Sequence, residues 1–537
     1  MYIATVPNRK SPPAILLRES FREHGKVRTR TLCNLTHWAP ERIEALRRAL
    51  KGDFDGFTGN PNPVSGPIFG ALFVLKKVSD RLGLTEALGK HRFARLVLFL
   101  ILARIAHQGS RLSAVRWAQN HAVSETLGVS RFSEDDLYKA LDWVAEQQEK
   151  IENRLYRKYV RDRGTAPTLV LYDVTSSYFE GTQNELAAFG YDRDNKRGKK
   201  QIVIGLLTGA DGEPLAVKVF EGNTSDPKTV ADQVRTVKDR FGISEVVFVG
   251  DRGMVKARGK VTLSRAGFKY ITALTNPQIR RLIKANVIQL SGFDETIHEV
   301  EHGKVRLILC RNEATRRKEE RRREDKIRKL KERVEKRNQF VLQSAKAKPE
   351  AGLRVLISWV KTHKLTSFVR MSIKEREIIL EIDQSAKADS ALLDGCYVLE
   401  TDVSSQMMET RSVHDRYLDL ETIERDFRTM KTTLLEVRPI FLRKADRTRG
   451  HVFVATLALK VVREMRRLLV VEFGTTNENN MAVTLEDALA SLSRLCLQNY
   501  RIKETTVTRL PGPDDSQKRI LKALGIFLPQ FAISATV

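Results

Sequence analysis

The sequence predicts an α/β fold, and three features beyond Thr165 carry that expectation. Thr168, Leu169, Val170, Leu171 and Tyr172 are β-branched, aliphatic or aromatic, the composition of a strand buried on both faces. The stretch KKQIVIGLLTGADGEPLAVKVFEG reads as two apolar strands joined at Asp211-Gly212, a strong hairpin signal. NTSDPKTVADQVRTVKDRFG follows as a helix with Asp226 as N-cap and Pro227 at its first position, and SEVVFVGDRGM then supplies another buried-type strand. A strand-helix-strand crossover makes parallel strands, which are often neighbours in one sheet.

Both apolar strands end in an acid, Asp173 and Asp251. An ionised carboxylate there is costly to desolvate unless it meets a cation, hydrogen-bond donors or water. On neighbouring strands about 4.8 Å apart, the two would converge at the carboxyl edge, where open α/β sheets place their sites. Two carboxylates without His or Cys nearby suit Mg²⁺ or Mn²⁺ rather than zinc, and a pair of such ions needs a third acid. YLDLETIERDFRTMKTTLLEV, residues 417–437, reads as a helix that offers one. Ile423, Phe427, Met430 and Leu434 form its core stripe. Tyr417, Glu424 and Lys431, each seven residues apart, share a second face with about 20° of drift per step. A solvated helix face laced with charge pairs would show the same spacing.

The 537 residues suffice for two to four domains, and 93 Lys and Arg against 66 Asp and Glu give a net charge of +27. Such an excess favours a polyanionic partner, nucleic acid ahead of an anionic membrane. The longest apolar run, LVLFLILARIA from Leu96, is too short to span a bilayer and is interrupted by Arg104. MYIATVPNRKSPP lacks the layout of a signal peptide, so a cytoplasmic, nucleoid-associated protein is expected. Cys33, Cys310, Cys396 and Cys496 are widely spaced, which indicates neither a disulfide framework nor a zinc finger.

Between Pro13 and Leu35 two extended runs meet at His24-Gly25, a β-hairpin within a basic N-terminal region of residues 1–50. Lys26, Arg28 and Arg30 share one face of its second strand, fit either to track phosphates or to protect an edge. After the joint DGFTGNPNPVSGP, residues 66–160 read as an all-α, DNA-binding module with amphipathic runs at 72–88, 93–106 and 137–155 and Ser133 as an N-cap. Arg316 to Arg337 holds thirteen basic and six acidic residues with a seam of Ile327, Leu330 and Val334, a helical arm expected to touch DNA.

Tyr417, Glu424 and Lys431, spaced Y-x6-E-x6-K, with DVTSSYF and GDRGM upstream, make the chain resemble an insertion-sequence DDE transposase with the Tyr-Arg-Glu-Lys signature. GKVRTR, LYKALDW, DNKRGKKQIVIGL, GNTSD, IERDFRTMK and RGHVFVATLAL extend the likeness over most of the chain. The resemblance implies an RNase H-like core, 165–280 and 401–475, with an inserted, largely β subdomain at 281–400 between FKYITAL and the Glu helix, and a helical region at 476–537. It implies Asp173, Asp251 and Glu424 as ligands of two Mg²⁺ or Mn²⁺ ions, and Tyr417 and Lys431 as contacts to transposon-end DNA. Arg252, Lys199 and Lys200, within the shared motifs, are expected to join them. The family's Arg falls at Leu420, so Arg428 or Arg416 is the candidate replacement.

The expected activity is cleavage of the element's own terminal inverted repeats and their joining to target DNA, by a homodimer in its synaptic complex. A nuclease without joining activity and an inactive DNA-binding repressor are the alternatives. Thr175, Ser176 and Ser177 have no His close in sequence to serve as base, which argues against a covalent route. His451 is read as a packing or phosphate-facing residue.

Overall fold

The computed structural model describes residues 1–8, 12–23, 25–52, 63–194, 196–252, 254–293, 297–432, 434–475, 482–502 and 505–529. The chain divides into two compact units. The larger, residues 72–119 and 123–487, is built on a mixed eight-stranded sheet. Its strands are β1 (Leu169–Tyr178), β2 (Gln201–Gly209), β3 (Pro214–Glu221), β4 (Val247–Gly250), β5 (Lys269–Ala273), β6 (Ile297–His302), β7 (Val305–Arg311) and β8 (Cys396–Thr401). They lie in the order β6-β7-β8-β5-β4-β1-β2-β3, with only β5, β4 and β1 mutually parallel. The remaining pairs are antiparallel.

The helices used below are α1 (Arg92–Ala106), α2 (Arg111–Gln119), α3 (Glu134–Arg163), α4 (Asp226–Arg235), α5 (Ala257–Ala266), α6 (Glu313–Gln343), α7 (Pro349–Thr362), α8 (Thr410–Leu418), α9 (Leu420–Lys431) and α10 (Ala445–Phe473). The crossovers α4 and α5 return the chain to β4 and β5, as the alternation of strand and helix patterns requires. Ser225, not Asp226, occupies the N-cap position of α4, without a side-chain capping hydrogen bond, and Asp226 becomes the first residue of the helix. Ser133 does cap α3, reciprocally with Asp136. Tyr156 and Tyr159 of α3 pack with Tyr172, Val203, Phe248 and Tyr270 of the sheet. α3 also lies along α10, where a Cβ on Gly450 would stand 2.3 Å from the Leu141 carbonyl oxygen, so only glycine permits the approach. α3 thus shares one core with the sheet. Among the described residues no single helix is long and apolar enough to cross a membrane; α1 is a core helix.

Three expectations are corrected. β1 does not end at Asp173 but runs five residues further, because its antiparallel neighbour β2 stays paired with it as far as Tyr178. The segment 281–400 is mixed rather than largely β: β6, β7 and β8 extend the main sheet, while α6, α7 and the hairpin of Val369–Lys374 with Glu377–Ile382 form their own cluster around Ile327, Leu330, Val334, Leu356 and Phe368. Residues 476–537 are not wholly helical. Cys496–Ile502 and Thr505–Arg509 pair with each other, and the first also pairs with Pro63–Ile68.

That three-stranded sheet lies in the smaller unit, residues 1–71, 120–122 and 488–537. The basic hairpin is there too, as Ala14–Glu23 and Lys26–Asn34, with a further strand, Tyr2–Val6, that sequence patterning missed. His24 of the turn lies outside the described residues, as does most of the joint at 53–62. Arg28 pairs with Glu23 and Arg30 with Glu19, so two of the three cations on that face are met by acids of the neighbouring strand.

Candidate active site

The parallel register of β1 with β4 stops at the pair Tyr172 and Gly250. Asp173 and Asp251 are the next residues, so the two acids stand side by side where β4 ends and β1 runs on paired with β2 alone. α9 packs on β1, and Ile423, Phe427 and Met430 turn its apolar stripe inward. Glu424 therefore stands on the outer flank of that stripe, exposed, and near enough to raise the proton affinity of Asp173. The Asp173 carboxyl is pushed up to about 8, by burial first and then by Asp251 and Glu424. Glu424, exposed as a whole residue, is raised as well, first by partial desolvation of its carboxyl and then by Asp251 and Glu421. Asp173 and Glu424 are thus both penalised for their charge by burial and by neighbouring acids.

The donors that meet these oxygens are few. Asp173 Oδ1 accepts from the Val174 amide at 2.7 Å, and Asp251 Oδ1 from the Tyr417 hydroxyl at 3.2 Å. Among the described residues no Lys or Arg forms an ion pair with any of the three. Uncompensated carboxylates, oxygen-only and without nitrogen or sulfur donors beside them, fit a hard divalent cation. Among the described residues no three His, Cys, Asp or Glu side chains stand closed into a ready-made metal cage. Mg²⁺ ordinarily takes only one or two carboxylates and completes its shell with water and substrate phosphate.

Residues 417–437 do not form the single helix that their spacing suggests. The chain breaks at Asp419, which ends α8 and begins α9, so Tyr417 and Glu424 sit on different helices. Tyr417 is held by stacking on Tyr397, centroids 6.5 Å apart, and its phenol is driven up by burial and by Asp251. Leu420, at the position of the family's Arg, is 7% exposed and faces the core. Leu420→Arg should therefore not supply a phosphate contact. It is expected to cost on the order of 3 kcal/mol, seen as a lowered denaturation midpoint, because the guanidinium would be buried unpaired. Arg416 is engaged with Asp419 at 3.0 Å. Arg428 is exposed one turn beyond Glu424 and lowers its proton affinity.

Lys431 is not free to meet a ligand. Its Nζ donates to Asp194 Oδ1 at 2.8 Å, and Arg438 Nη1 donates to the same oxygen at 2.8 Å. Asp194 Oδ2 accepts from the Tyr178 amide at 3.2 Å, and the Asp194 side chain is 2% exposed. One buried acid therefore ties the last turn of α9 and the loop after it to the end of β1. Sequence patterning missed Asp194; an acid inside the basic run YDRDNKRGKK was the available signal. It also missed Arg193, which pairs with Asp226 and lowers the proton affinity of Asp173. Lys199 pairs with Glu180 at 2.9 Å, Lys200 is exposed, and Arg252 lines a cavity of about 240 Å³ beside Tyr417.

A mixed α/β sheet that brings carboxylates together where its parallel pairing stops, in a chain carrying +27, has the build of enzymes that move phosphoryl groups on nucleic acid. Residues 164–460 match the transposase DDE domain family, and residues 3–62 match the N-terminal domain of IS1634 family transposases. The chain belongs to the DDE transposases and is a DNA transposase, an enzyme of DNA strand cleavage and transfer. Similar solved structures include the piggyBac transposase synaptic complex with hairpin DNA, at 8% identity over 74% of this chain and 69% of that one, TM-score 0.35. The Mos1 transposase paired-end complex with the left transposon end is 14% identical over 34% of this chain and 58% of that one, TM-score 0.15. No curated protein matches the chain.

Proposed function

We propose that Asp173, Asp251 and Glu424 are the catalytic acids of this transposase, in an RNase H-like core that residues 281–400 interrupt. The observation that carries the reading is the register of β1 and β4, whose pairing stops one residue before both Asp. With divalent ions held there, two of them and Mg²⁺ or Mn²⁺ by the chemistry of the donors, a water or DNA 3′-OH would be activated and the leaving oxygen stabilised. The chain's own residues do the positioning. Tyr417 donates to Asp251 Oδ1 and leaves its second oxygen without a hydrogen bond from the described residues. Arg428 and Arg252, both exposed beside the acids, are assigned to DNA phosphates, with Lys200 further along the same edge. Lys431 is reassigned from DNA contact to the Asp194 clasp. Incubation with labelled terminal-repeat DNA, a target plasmid and Mg²⁺ tests the reading. Joined product is expected; cut ends that never join would make the protein a nuclease.

The basic helix α6 is a surface rather than a detachable arm, since Ile327, Leu330 and Val334 are buried in its own cluster. Arg317, Arg321 and Arg322 are exposed and make no ion pair among the described residues. Changing all three to Gln should lower the log-log salt slope of DNA binding by about 0.9 for each phosphate that is no longer neutralised, with folding intact. An unchanged slope would return this face to solvent. A homodimer in the synaptic complex is part of the same proposal, and sedimentation of the DNA-bound protein checks it.

A further inference from the structure

A cavity of about 610 Å³ lies among the end of α1, the start of α2, the loop after α9 and the first turn of α10. Arg104, Arg111, Arg438, Arg443, Lys444 and Arg447 line it, against the single acid Glu436. Two of these cations have their charge met, Arg447 by Asp142 and Arg438 by Asp194. Among the described residues Arg104, Arg443 and Lys444 make no side-chain hydrogen bond and no ion pair. Arg111 Nη2 donates to His451 Nδ1 at 2.8 Å, which requires a neutral imidazole with its proton on Nε2. Arg111 Nε is shielded from water and has no partner. Burial first, and then the neighbouring Arg111, bring the Arg104 guanidinium down to about 9, with Glu436 only partly opposing them. The N-terminus of α10, at Lys444, opens on the same space and has no side-chain cap, so its dipole adds to the positive field.

We propose that this cavity is a phosphate-binding site that takes a backbone phosphate of the DNA strand leading away from the active site. Arginine forks match phosphate oxygens, and an anion here would satisfy Arg111 Nε and offset the repulsion between Arg104 and Arg111. The volume admits a phosphate with its sugar. The choice of DNA over a free nucleotide rests on the transposase reading and on position. Arg438 lines the cavity and shares Asp194 with Lys431, which lies two helical turns, about 10 Å, from Glu424. At about 3.4 Å of rise per phosphate, a strand crossing the acids would reach this side within a few nucleotides. Arg111 and His451 are then a prearranged pair, with His451 holding the guanidinium in place.

The test uses the full-length protein and two kinds of probe. Thermal melting is followed with pyrophosphate and dTMP at ionic strength matched by chloride, and salt-dependent binding with a 30-bp duplex. Millimolar pyrophosphate and dTMP should raise the wild-type Tm by several degrees beyond chloride. Arg104→Met should abolish that gain while raising the Tm of the ligand-free protein, since one of two crowded guanidiniums is gone. Arg443→Gln with Lys444→Gln, both on the exposed rim, should reduce the gain without disturbing the fold and lower the duplex salt slope by about 1 to 2. If no anion stabilises the wild type, or Arg104→Met destabilises the free protein and leaves the anion gain intact, the cavity is structural and the proposal is overturned. If the anion gain follows the variants while the duplex slope does not, the site takes a free nucleotide and its assignment to DNA is overturned. The anion arm involves no DNA, so its failure is distinct from any failure of the catalytic reading.

Discussion

Asp173→Asn is expected to lower DNA cleavage by roughly 10³-fold or more, equivalent to at least about 4 kcal/mol of transition-state stabilisation, while terminal-DNA binding stays within a few-fold of wild type. Asp251→Asn and Glu424→Gln should behave alike, because each removes an oxygen ligand and leaves the basic surface untouched. Asp173 gives a second, opposite signal. Its carboxyl is pushed up to about 8 by burial beside two acids. An acid whose pKa rises on folding penalises the folded state above its unfolded value, and the penalty grows until the pH passes the folded value. The amide carries no such penalty. The variant should therefore melt at the same temperature as wild type or higher at pH 8, and the difference should vanish toward pH 4. A cleavage defect accompanied by a lower Tm would point to lost structure instead of lost chemistry.

Asp194→Ala should be the most damaging substitution outside the three acids. It strands Lys431, whose side chain is 11% exposed, and deprives Arg438 of the same oxygen. Breaking a buried pair by removing one partner costs about 3 to 5 kcal/mol, because the remaining charge stays desolvated. The lowered proton affinity of Lys431, caused first by burial, marks the same liability. Urea denaturation should show the loss as a reduced midpoint, and adding Lys431→Met should recover part of it, since the stranded cation is then gone. Cleavage should fall as well, because the clasp fixes the end of α9 against the end of β1 and so sets Glu424 relative to Asp173. Additive losses in the double variant would mean that Lys431 does not depend on Asp194.

The parts of this arrangement legible in the sequence are those with local causes. The hairpin at Asp211-Gly212, the cap at Ser133 and the crossover before SEVVFVG each have their signal within a few residues of the structure they make. That crossover is also why the adjacency of Asp173 and Asp251 could be anticipated. What escaped was decided at a distance. The continuation of β1 past Asp173 follows from pairing with β2, and the polar run of Thr175, Ser176 and Ser177 gave no sign that it would be buried. The strand at Pro63–Ile68 exists because a partner arrives more than 400 residues later. Lys431 has the same i+7 spacing as a ligand-facing residue, but its fate was set by an acid 237 positions upstream. The break at Asp419 leaves the apolar stripe of α9 intact and so is invisible to periodicity.

The most direct test of the three-acid site is Mn²⁺ binding measured by titration calorimetry on the protein bound to its terminal-repeat DNA, for wild type, Asp173→Asn and Glu424→Gln. Binding of two ions by the wild type, with loss of at least one in each variant and DNA affinity unchanged, is the expected result. Equal Mn²⁺ binding by all three proteins would contradict the assignment of these carboxylates as the metal ligands.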